Sequence, residues 1–301
     1  MTDFLQLLLL GTIWTLVSIL CLQARKRGLS SVIFYFVGNV VSVTLCALTF
    51  LLPGMDMDDF TAPGKREVLC FFLASSLLNG SGQALTMYNL KQGGRVLAVA
   101  IPQMSFLFPF VYGLLSGNEQ PDLMRMSGIA VIAAAVFASS CGTPRKDVPG
   151  QWNFRRLGLA LTAGALIGSA KLCVVMSGYL HAATPLSQTT RVFFYMLTAA
   201  VFFGVLTWFD VKKNGPPPKG SLKLGVFWGF TATVSNLLLF HCVDIFTRRG
   251  QSGIVYAVAS AVLLVLISIY TRFRLGEKLT LLQNFSLAGM IAGVFLVRLG
   301  G

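Results

Sequence analysis

The chain has 301 residues, of which 55% are hydrophobic and 12% are charged, and its mean hydropathy is +0.73. A soluble globular protein needs about a quarter of its residues charged to cover its surface, so this composition excludes one. The formal net charge of +13 would suit a nucleic-acid-binding protein, but the Lys and Arg residues lie in short segments between apolar runs. We therefore expect no nucleic-acid partner, and we expect these basic residues to meet the headgroups of a lipid bilayer.

Apolar runs of membrane-spanning length recur along the whole chain. A helix needs roughly 20 apolar residues to cross the hydrocarbon core, with every backbone polar group paired inside the segment. The sequence thus predicts an all-α polytopic membrane protein with ten transmembrane helices and an uncleaved first span. The predicted spans are Phe4–Ala24, Ser30–Leu52, Val68–Leu90, Val96–Ser116, Leu123–Cys141, Leu157–Leu180, Leu186–Phe209, Leu224–Phe246, Ser252–Arg272 and Leu281–Leu299.

The second half of the chain repeats features of the first. When Glu119 is aligned with Glu277, Tyr112 falls on Tyr270 and several small and apolar residues also match. The Glu match is informative because acidic residues are scarce in this chain and each Glu lies in the turn before the last helix of its half. Units with an odd number of helices insert in opposite directions. We predict two inverted five-helix repeats, 1–141 and 157–301, joined by a loop at 142–156.

A short motif near the C-terminus resembles that of a known family. The run from Phe273 to Thr280 reads F-R-L-G-E-K-L-T and precedes a Leu-rich helix with Gly289 and Gly293. It resembles the F-x-G-E-[KR]-L-[ST] signature of EamA-like members of the drug/metabolite transporter superfamily. The segment Met87–Lys91 is similar to the aromatic-x-L-K sequence that closes the third helix in that family, whereas the first-half copy of the signature, 117–121, has decayed.

The resemblance implies a fold, a mechanism and an orientation. It implies a ten-helix carrier that moves small organic molecules by alternating access. The substrate cavity would be lined by helices one to four and six to nine, with helices five and ten at the periphery. It also implies cytosolic termini, as in the nucleotide-sugar carriers. By contrast, the loops after odd-numbered helices hold 16 Lys and Arg residues against 7 on the other side, which by the positive-inside rule puts both termini outside the cytoplasm.

Charged side chains inside the bilayer are costly and are therefore functional candidates. Lys171 lies well inside helix six, with no acid at matching depth nearby in sequence. We expect a substrate carboxylate or phosphate as its counter-ion; the alternatives are a structural bond to helix carbonyls and snorkelling to the interface. Arg191, one turn into helix seven, either joins Lys171 in an anion clamp or marks the membrane interface.

Helix eight carries two titratable residues, His241 and Asp244, that are three positions apart and share a face. Such a pair can carry a coupling proton, because a carboxylate tunes imidazole through the physiological pH range. The alternative is an interhelical hydrogen bond near the helix end.

Neutral polar and aromatic side chains are predicted to orient the ligand, although each can instead join two helices. Asn79 and Gln83 are four residues apart and share one face of helix three. Trp14 can stack on a substrate ring, with packing in the core as the alternative. The remaining candidates are Asn39 in helix two, Gln103 next to Pro102 in helix four, and Asn236 in helix eight.

The sequence shows no apparatus for covalent chemistry. The motifs HExxH and GxSxG, a Gly-rich phosphate loop and CxxC are all absent, and the six cysteines lie inside or at the ends of apolar runs. We predict that the chain is not an enzyme and that it has no catalytic residues, no metal site and no cofactor.

Together these patterns favour a secondary transporter of a small polar, anionic metabolite in the plasma (inner) membrane, working by rocking of the two repeats around a midplane site. The alternatives are an amino-acid or drug exporter of the same fold and a membrane scaffold or subunit that transports nothing. Small residues on helices five and ten, among them Gly128 and Gly293, would suit packing within one chain or a homodimer.

Overall fold

The computed structural model describes residues 2–52, 64–91, 101–119, 122–141, 154–181, 186–215, 221–276 and 279–300. These residues are helical apart from short turns and helix ends, and they contain no strand. The helices are α1 Thr2–Lys26, α2 Ser31–Thr49, α3 Lys65–Lys91, α4 Ile101–Leu115, α5 Leu123–Cys141, α6 Phe154–His181, α7 Gln188–Asn214, α8 Ser221–Arg248, α9 Gly253–Leu275 and α10 Leu281–Leu299.

Eight of the described helices, α1 to α3 and α6 to α10, are long and apolar enough to cross a membrane. α4 and the Leu123–Ser139 part of α5 are apolar but shorter. Large apolar side chains face outward, including Phe273, Phe285 and Trp208, which are 79%, 73% and 71% exposed. A contiguous apolar exterior matches lipid rather than water as the solvent. The chain is therefore a polytopic helical membrane protein.

The predicted spans agree with the helices to within a few residues. α5 and α10 have the predicted bounds. α6 and α8 extend past both predicted ends and α7 past its predicted C-terminal end, because polar residues at helix ends continue the helix beyond the apolar run. α2 ends at Thr49, before the predicted Leu52. The predicted start of helix four, Val96, lies outside the described residues.

α4 is irregular near its start. Met104–Phe106 form a 3₁₀ turn, and α geometry resumes at Leu107. Pro102 and Pro109 flank this turn, and a proline lacks the N–H that an α-helix interior requires. The prolines thus account for the local change of helix type.

Six of the helices pack as two clusters of three. Two further helices, α2 and α7, form a pair that joins the clusters. In the first cluster α1 contacts α8 and α9; in the second α6 contacts α3 and α4. α2 packs on α7, and this pair connects the clusters through contacts of α2 with α8 and of α7 with α3. α5 packs along α10 at one side. Each cluster combines helices from both halves of the chain, so the halves are interleaved and do not form two separate bodies.

Glycines allow the closest helix approaches. A Cβ at Gly229 of α8 would lie 2.5 Å from the carbonyl oxygen of Gly38 in α2, and one at Gly128 of α5 would lie 2.8 Å from that of Gly293 in α10. Small residues at membrane helix contacts let backbones approach in this way. The small residues of α5 and α10 are thus used within the chain, and a homodimer through these helices stays a prediction.

Both chain ends lie at one end of the bundle, which we call the terminal face. Arg249, in the turn between α8 and α9, forms a salt bridge of 2.5 Å with Asp3 of α1. Arg125 of α5 donates a hydrogen bond of 2.8 Å to the carbonyl oxygen of Gly300. The starts of α1, α5 and α9 and the ends of α8 and α10 therefore share this face, and the start of α2 lies at the opposite face.

Candidate functional site

α6 carries Lys171 into the middle of the bundle. Its ammonium lies over the ring of Tyr256 in α9, with Nζ 5.4 Å from the ring centroid. Within the described residues Lys171 has no salt bridge and no hydrogen bond. A cation over an aromatic ring gains about 0.5–2 kcal/mol, which is far less than the cost of removing a charge from water without a counter-ion. The described part of the protein thus leaves the charged form of Lys171 without a counter-ion.

A second aromatic ring packs against Tyr256. Trp14 of α1 lies with its ring centroid 6.2 Å from that of Tyr256, so residues from α1, α6 and α9 meet here. Tyr256 is only 2% exposed, yet its hydroxyl forms no hydrogen bond with the residues that the structure describes. Leaving a buried hydroxyl unbonded costs about 1–3 kcal/mol. We call Lys171, Tyr256 and Trp14 the central site.

A further unbonded hydroxyl lies in the 3₁₀ turn of α4, which contacts both α6 and α9. Ser105 is 2% exposed and its side-chain oxygen has no hydrogen-bond partner in the described part of the chain. Buried polar groups in folded proteins are nearly always hydrogen-bonded, so an unbonded one calls for an explanation. Lys171, Tyr256 and Ser105 therefore all present donors that find no acceptor among the described residues, and they lie on helices that contact one another.

The predicted amide residues are mostly engaged. Asn79 of α3 donates to the hydroxyl of Tyr195 in α7 at 2.9 Å. Asn39 and Asn236 donate to carbonyl oxygens one turn earlier in their own helices, at 2.7 and 2.8 Å. Gln83 in α3 and Gln103 at the start of the 3₁₀ turn are partly buried. The structure thus gives Asn79 an interhelical role and places no predicted amide in contact with Lys171.

Arg191 lies in a separate, fully buried ion pair. Its guanidinium donates to both carboxylate oxygens of Asp244 in α8, at 2.8 and 2.5 Å, and Arg191 is 1% exposed. The guanidinium also lies 5.7 and 5.8 Å from the ring centroids of Phe72 and Phe240. Two parallel hydrogen bonds between a guanidinium and a carboxylate make a strong ion pair. The anion clamp of Lys171 and Arg191 is therefore not the arrangement observed, because Arg191 already has its counter-ion in α8.

His241 contacts a different residue from the one expected. Its Nδ1 lies 3.0 Å from the side-chain nitrogen of Gln188 at the start of α7, and Asp244 is bound to Arg191. The amide donates and the ring nitrogen accepts in this contact. α7 and α8 are thus joined by two adjacent polar contacts, and a coupling proton on His241 or Asp244 stays a prediction.

Glu119, assigned from sequence to the turn before α5, caps a different helix. Its Oε1 accepts from the Ser252 hydroxyl at 2.9 Å and from the Gly253 amide at 2.5 Å, at the start of α9. The cap of α5 comes instead from Asp122, which accepts from the Arg125 amide at 2.9 Å. Burial raises the pKa of the Glu119 carboxyl, while its hydrogen bonds and Arg125 oppose that rise. Glu277, its counterpart in the second half, lies outside the described residues.

The sequence interpretation missed Tyr256 and Ser105. Both lie in apolar runs, where an aromatic ring or a hydroxyl is usually core packing. The two prolines around Ser105 were an available signal of an altered helix. Within the described residues no group of three His, Cys, Asp or Glu side chains could hold a metal ion.

Neither a protein-family model nor a curated protein matches the sequence. Solved structures do match the fold. A crystal structure of one protein superposes with a TM-score of 0.74 over 99% of this chain and 98% of that chain, with 12% identical residues. At this identity the likeness establishes the fold alone. The chain is thus a helical, multi-pass membrane protein, and it shares its fold with this solved structure over 99% of its length.

Proposed function

We propose that the chain is a secondary transporter for a small, polar, anionic organic metabolite, and that the central site binds the anion. The observation that carries this proposal is Lys171, a cation in the middle of the bundle with no ion-pair partner in the described residues. An intramembrane cation of this kind needs an anion or water to compensate it. A substrate carboxylate or phosphate would supply that charge, and the Tyr256 hydroxyl would supply a second donor.

The proposed architecture is ten transmembrane helices in two inverted five-helix repeats, of the EamA-like drug/metabolite transporter type. Support comes from the helix contacts. If each helix is matched with the one five positions later, the contact of α1 with α8 corresponds to that of α6 with α3, and α1 with α9 to α6 with α4. In three further contacts, α2 with α7, α5 with α10 and α4 with α9, the two helices are five positions apart, so the matching only exchanges them. Such correspondence is expected of a duplicated fold.

This contact pattern also refines the proposed movement. Because the two halves interleave, we propose that the moving bodies are the two clusters, each with helices from both halves, rather than the halves themselves. Lys171 belongs to one cluster, whereas Tyr256 and Trp14 belong to the other. A substrate bound at the central site would therefore contact both clusters, as a ligand that drives alternating access must.

One observation favours the alternative of a non-transporting scaffold. Arg191 and Asn79 are satisfied between helices, as polar residues are when they only hold helices together. The two proposals differ in what they require of Lys171, because a scaffold has no use for an uncompensated cation. An exporter of amino acids or drugs differs in the class of compound that binds.

Charge movement in proteoliposomes tests the proposal. The protein is reconstituted, and electrical currents and internal pH are recorded after rapid addition of monocarboxylates, dicarboxylates and phosphate esters, with neutral amides and amines as matched compounds. The variants are Lys171→Met, which keeps the length of the side chain without its charge, and Lys213→Met at the exposed end of α7 as the control.

We expect at least one anion class to give a signal with the parent and with Lys213→Met but not with Lys171→Met. Signals from amines or neutral compounds that persist in both variants would favour the exporter. If the folded protein gives no signal with any compound class, the transport proposal is contradicted and the scaffold proposal is favoured.

A further inference from the structure

A second polar cluster lies close to the central site. The Ser252 hydroxyl, at the start of α9, donates to Glu119 at 2.9 Å and lies 3.0 Å from the hydroxyl of Tyr179 in α6. The same Glu119 oxygen accepts the Gly253 amide at 2.5 Å. We call Glu119, Tyr179, Ser252 and Gly253 the latch.

The latch and the central site lie on the same two helices. Along α9, Ser252 precedes Tyr256 by about 6 Å, and along α6, Tyr179 follows Lys171 by about 12 Å. α6 ends and α9 begins at the terminal face. The latch therefore lies between the terminal face and the central site.

The hydrogen bonds of the latch join the two clusters. Glu119 follows α4 and Tyr179 is in α6, whereas Ser252 and Gly253 begin α9 of the other cluster. The clusters are close at this level, because a Cβ at Gly178 of α6 would lie 3.0 Å from the Thr247 hydroxyl oxygen of α8. The latch thus holds the clusters together where they approach closely.

The carboxylate at the centre of the latch is only half satisfied. Glu119 is 3% exposed, and among the described residues its Oε2 has no hydrogen-bond partner while Oε1 accepts two hydrogen bonds. A partly satisfied buried network stabilises less than a complete one. Such a contact can break and re-form more readily than the bidentate ion pair of Arg191 and Asp244.

We propose that the latch is a gate on the terminal face: it holds α9 against α4 and α6 while closed, and it opens when the central site is exposed to that face. The purpose of the gate rests on the proposed transport function. Its opening is a movement that can be measured without any substrate.

Thiol accessibility measures this opening. The six native cysteines are replaced by Ala or Ser, Lys171→Cys is introduced as the reporter, and sealed vesicles are treated with a membrane-impermeant sulfonated maleimide. Cleavage of an N-terminal tag by external protease identifies the vesicles whose terminal face is outward. The latch variants are Glu119→Ala, Ser252→Ala and the pair Tyr179→Phe with Ser252→Ala. The matched control is Asp3→Ala, which removes a salt bridge on the same face but within one cluster.

We expect latch variants to raise the labelling rate from the terminal face by about tenfold, the change expected when a hydrogen bond to a charged group is lost from a two-state equilibrium. Asp3→Ala should leave the rate unchanged, and Glu119→Gln, which retains an acceptor oxygen, should raise it less than Glu119→Ala.

Unchanged labelling in folded latch variants would overturn the gate, and so would an equal increase in Asp3→Ala. If Glu119→Ala fails to fold, the hydroxyl variants carry the test. A chain that moved no substrate could still show latch opening, so failure of the gate and failure of the transport proposal give different results.

Discussion

Among the described residues, Arg191 and Lys171 are basic side chains inside the bundle with opposite surroundings. Arg191 is 1% exposed and its guanidinium is bound at both ends to Asp244. Lys171 is partly buried, lies over an aromatic ring and has no ion-pair partner in the described residues. A buried charge without a counter-ion is costly. The fold supplies a counter-ion for Arg191, whereas the described residues supply none for Lys171. The comparison separates a cation that holds helices together from one that is available to a ligand.

The largest effect is expected at the paired cation. Arg191→Met removes the guanidinium that binds both carboxylate oxygens of the buried Asp244 and should lower the free energy of unfolding by about 3–5 kcal/mol. The double variant Arg191→Met with Asp244→Leu removes both charges and should recover most of that loss. Thermal unfolding in detergent, followed by tryptophan fluorescence, measures both. Equal stability of the single and double variants would show that the pair is not coupled.

In contrast to Arg191→Met, Lys171→Met should affect anion binding and not lower stability. It removes an uncompensated cation, so stability should be unchanged or higher, while stabilisation by anions should disappear. The same unfolding assay with and without a panel of carboxylates and phosphate esters measures both properties. A loss of stability as large as that of Arg191→Met would mean that Lys171 is held by a partner after all.

A smaller effect is expected where a neutral hydrogen bond joins helices. Asn79→Leu and Tyr195→Phe each remove the 2.9 Å bond between α3 and α7, and each should cost about 1 kcal/mol of stability. The double variant should cost less than the sum, because the two changes remove one interaction. Strict additivity in the double-variant cycle would argue against the bond.

Only a small effect on stability is expected at Tyr256. Tyr256→Phe removes a hydroxyl that has no hydrogen-bond partner within the described residues, so the free energy of unfolding should change by less than about 0.5 kcal/mol. Anion affinity should fall roughly tenfold if that hydroxyl donates to the ligand. Titrations of the thermal shift in the parent and in Tyr256→Phe give the ratio of affinities, and equal affinities would remove Tyr256 from the proposed site.

Helix positions could be predicted from the sequence because the bilayer fixes the length of an apolar span. α5 and α10 match their predicted bounds, and most other ends differ by a few polar residues that extend the helix. The importance of Lys171 could also be predicted, since a charge in an apolar run is costly wherever its neighbours lie.

The pairings between helices could not be predicted. Helical periodicity places His241 and Asp244 on one face of α8 but does not say which helix packs there. Arg191 and Asp244 are 53 residues apart, and only the packing of α7 on α8 brings them together. Likewise, the turn containing Glu119 reaches α9 because distant parts of the chain share the terminal face.

The central claim is that the uncompensated cation binds an anion and the paired one does not. The most direct measurement is a thermal-shift comparison of the parent, Lys171→Met and the double variant Arg191→Met with Asp244→Leu, using carboxylates, phosphate esters and their neutral amide or alcohol analogues. We predict that the same anions stabilise the parent and the double variant, that their neutral analogues stabilise neither, and that no anion stabilises Lys171→Met. Equal stabilisation of Lys171→Met by those anions would contradict the claim.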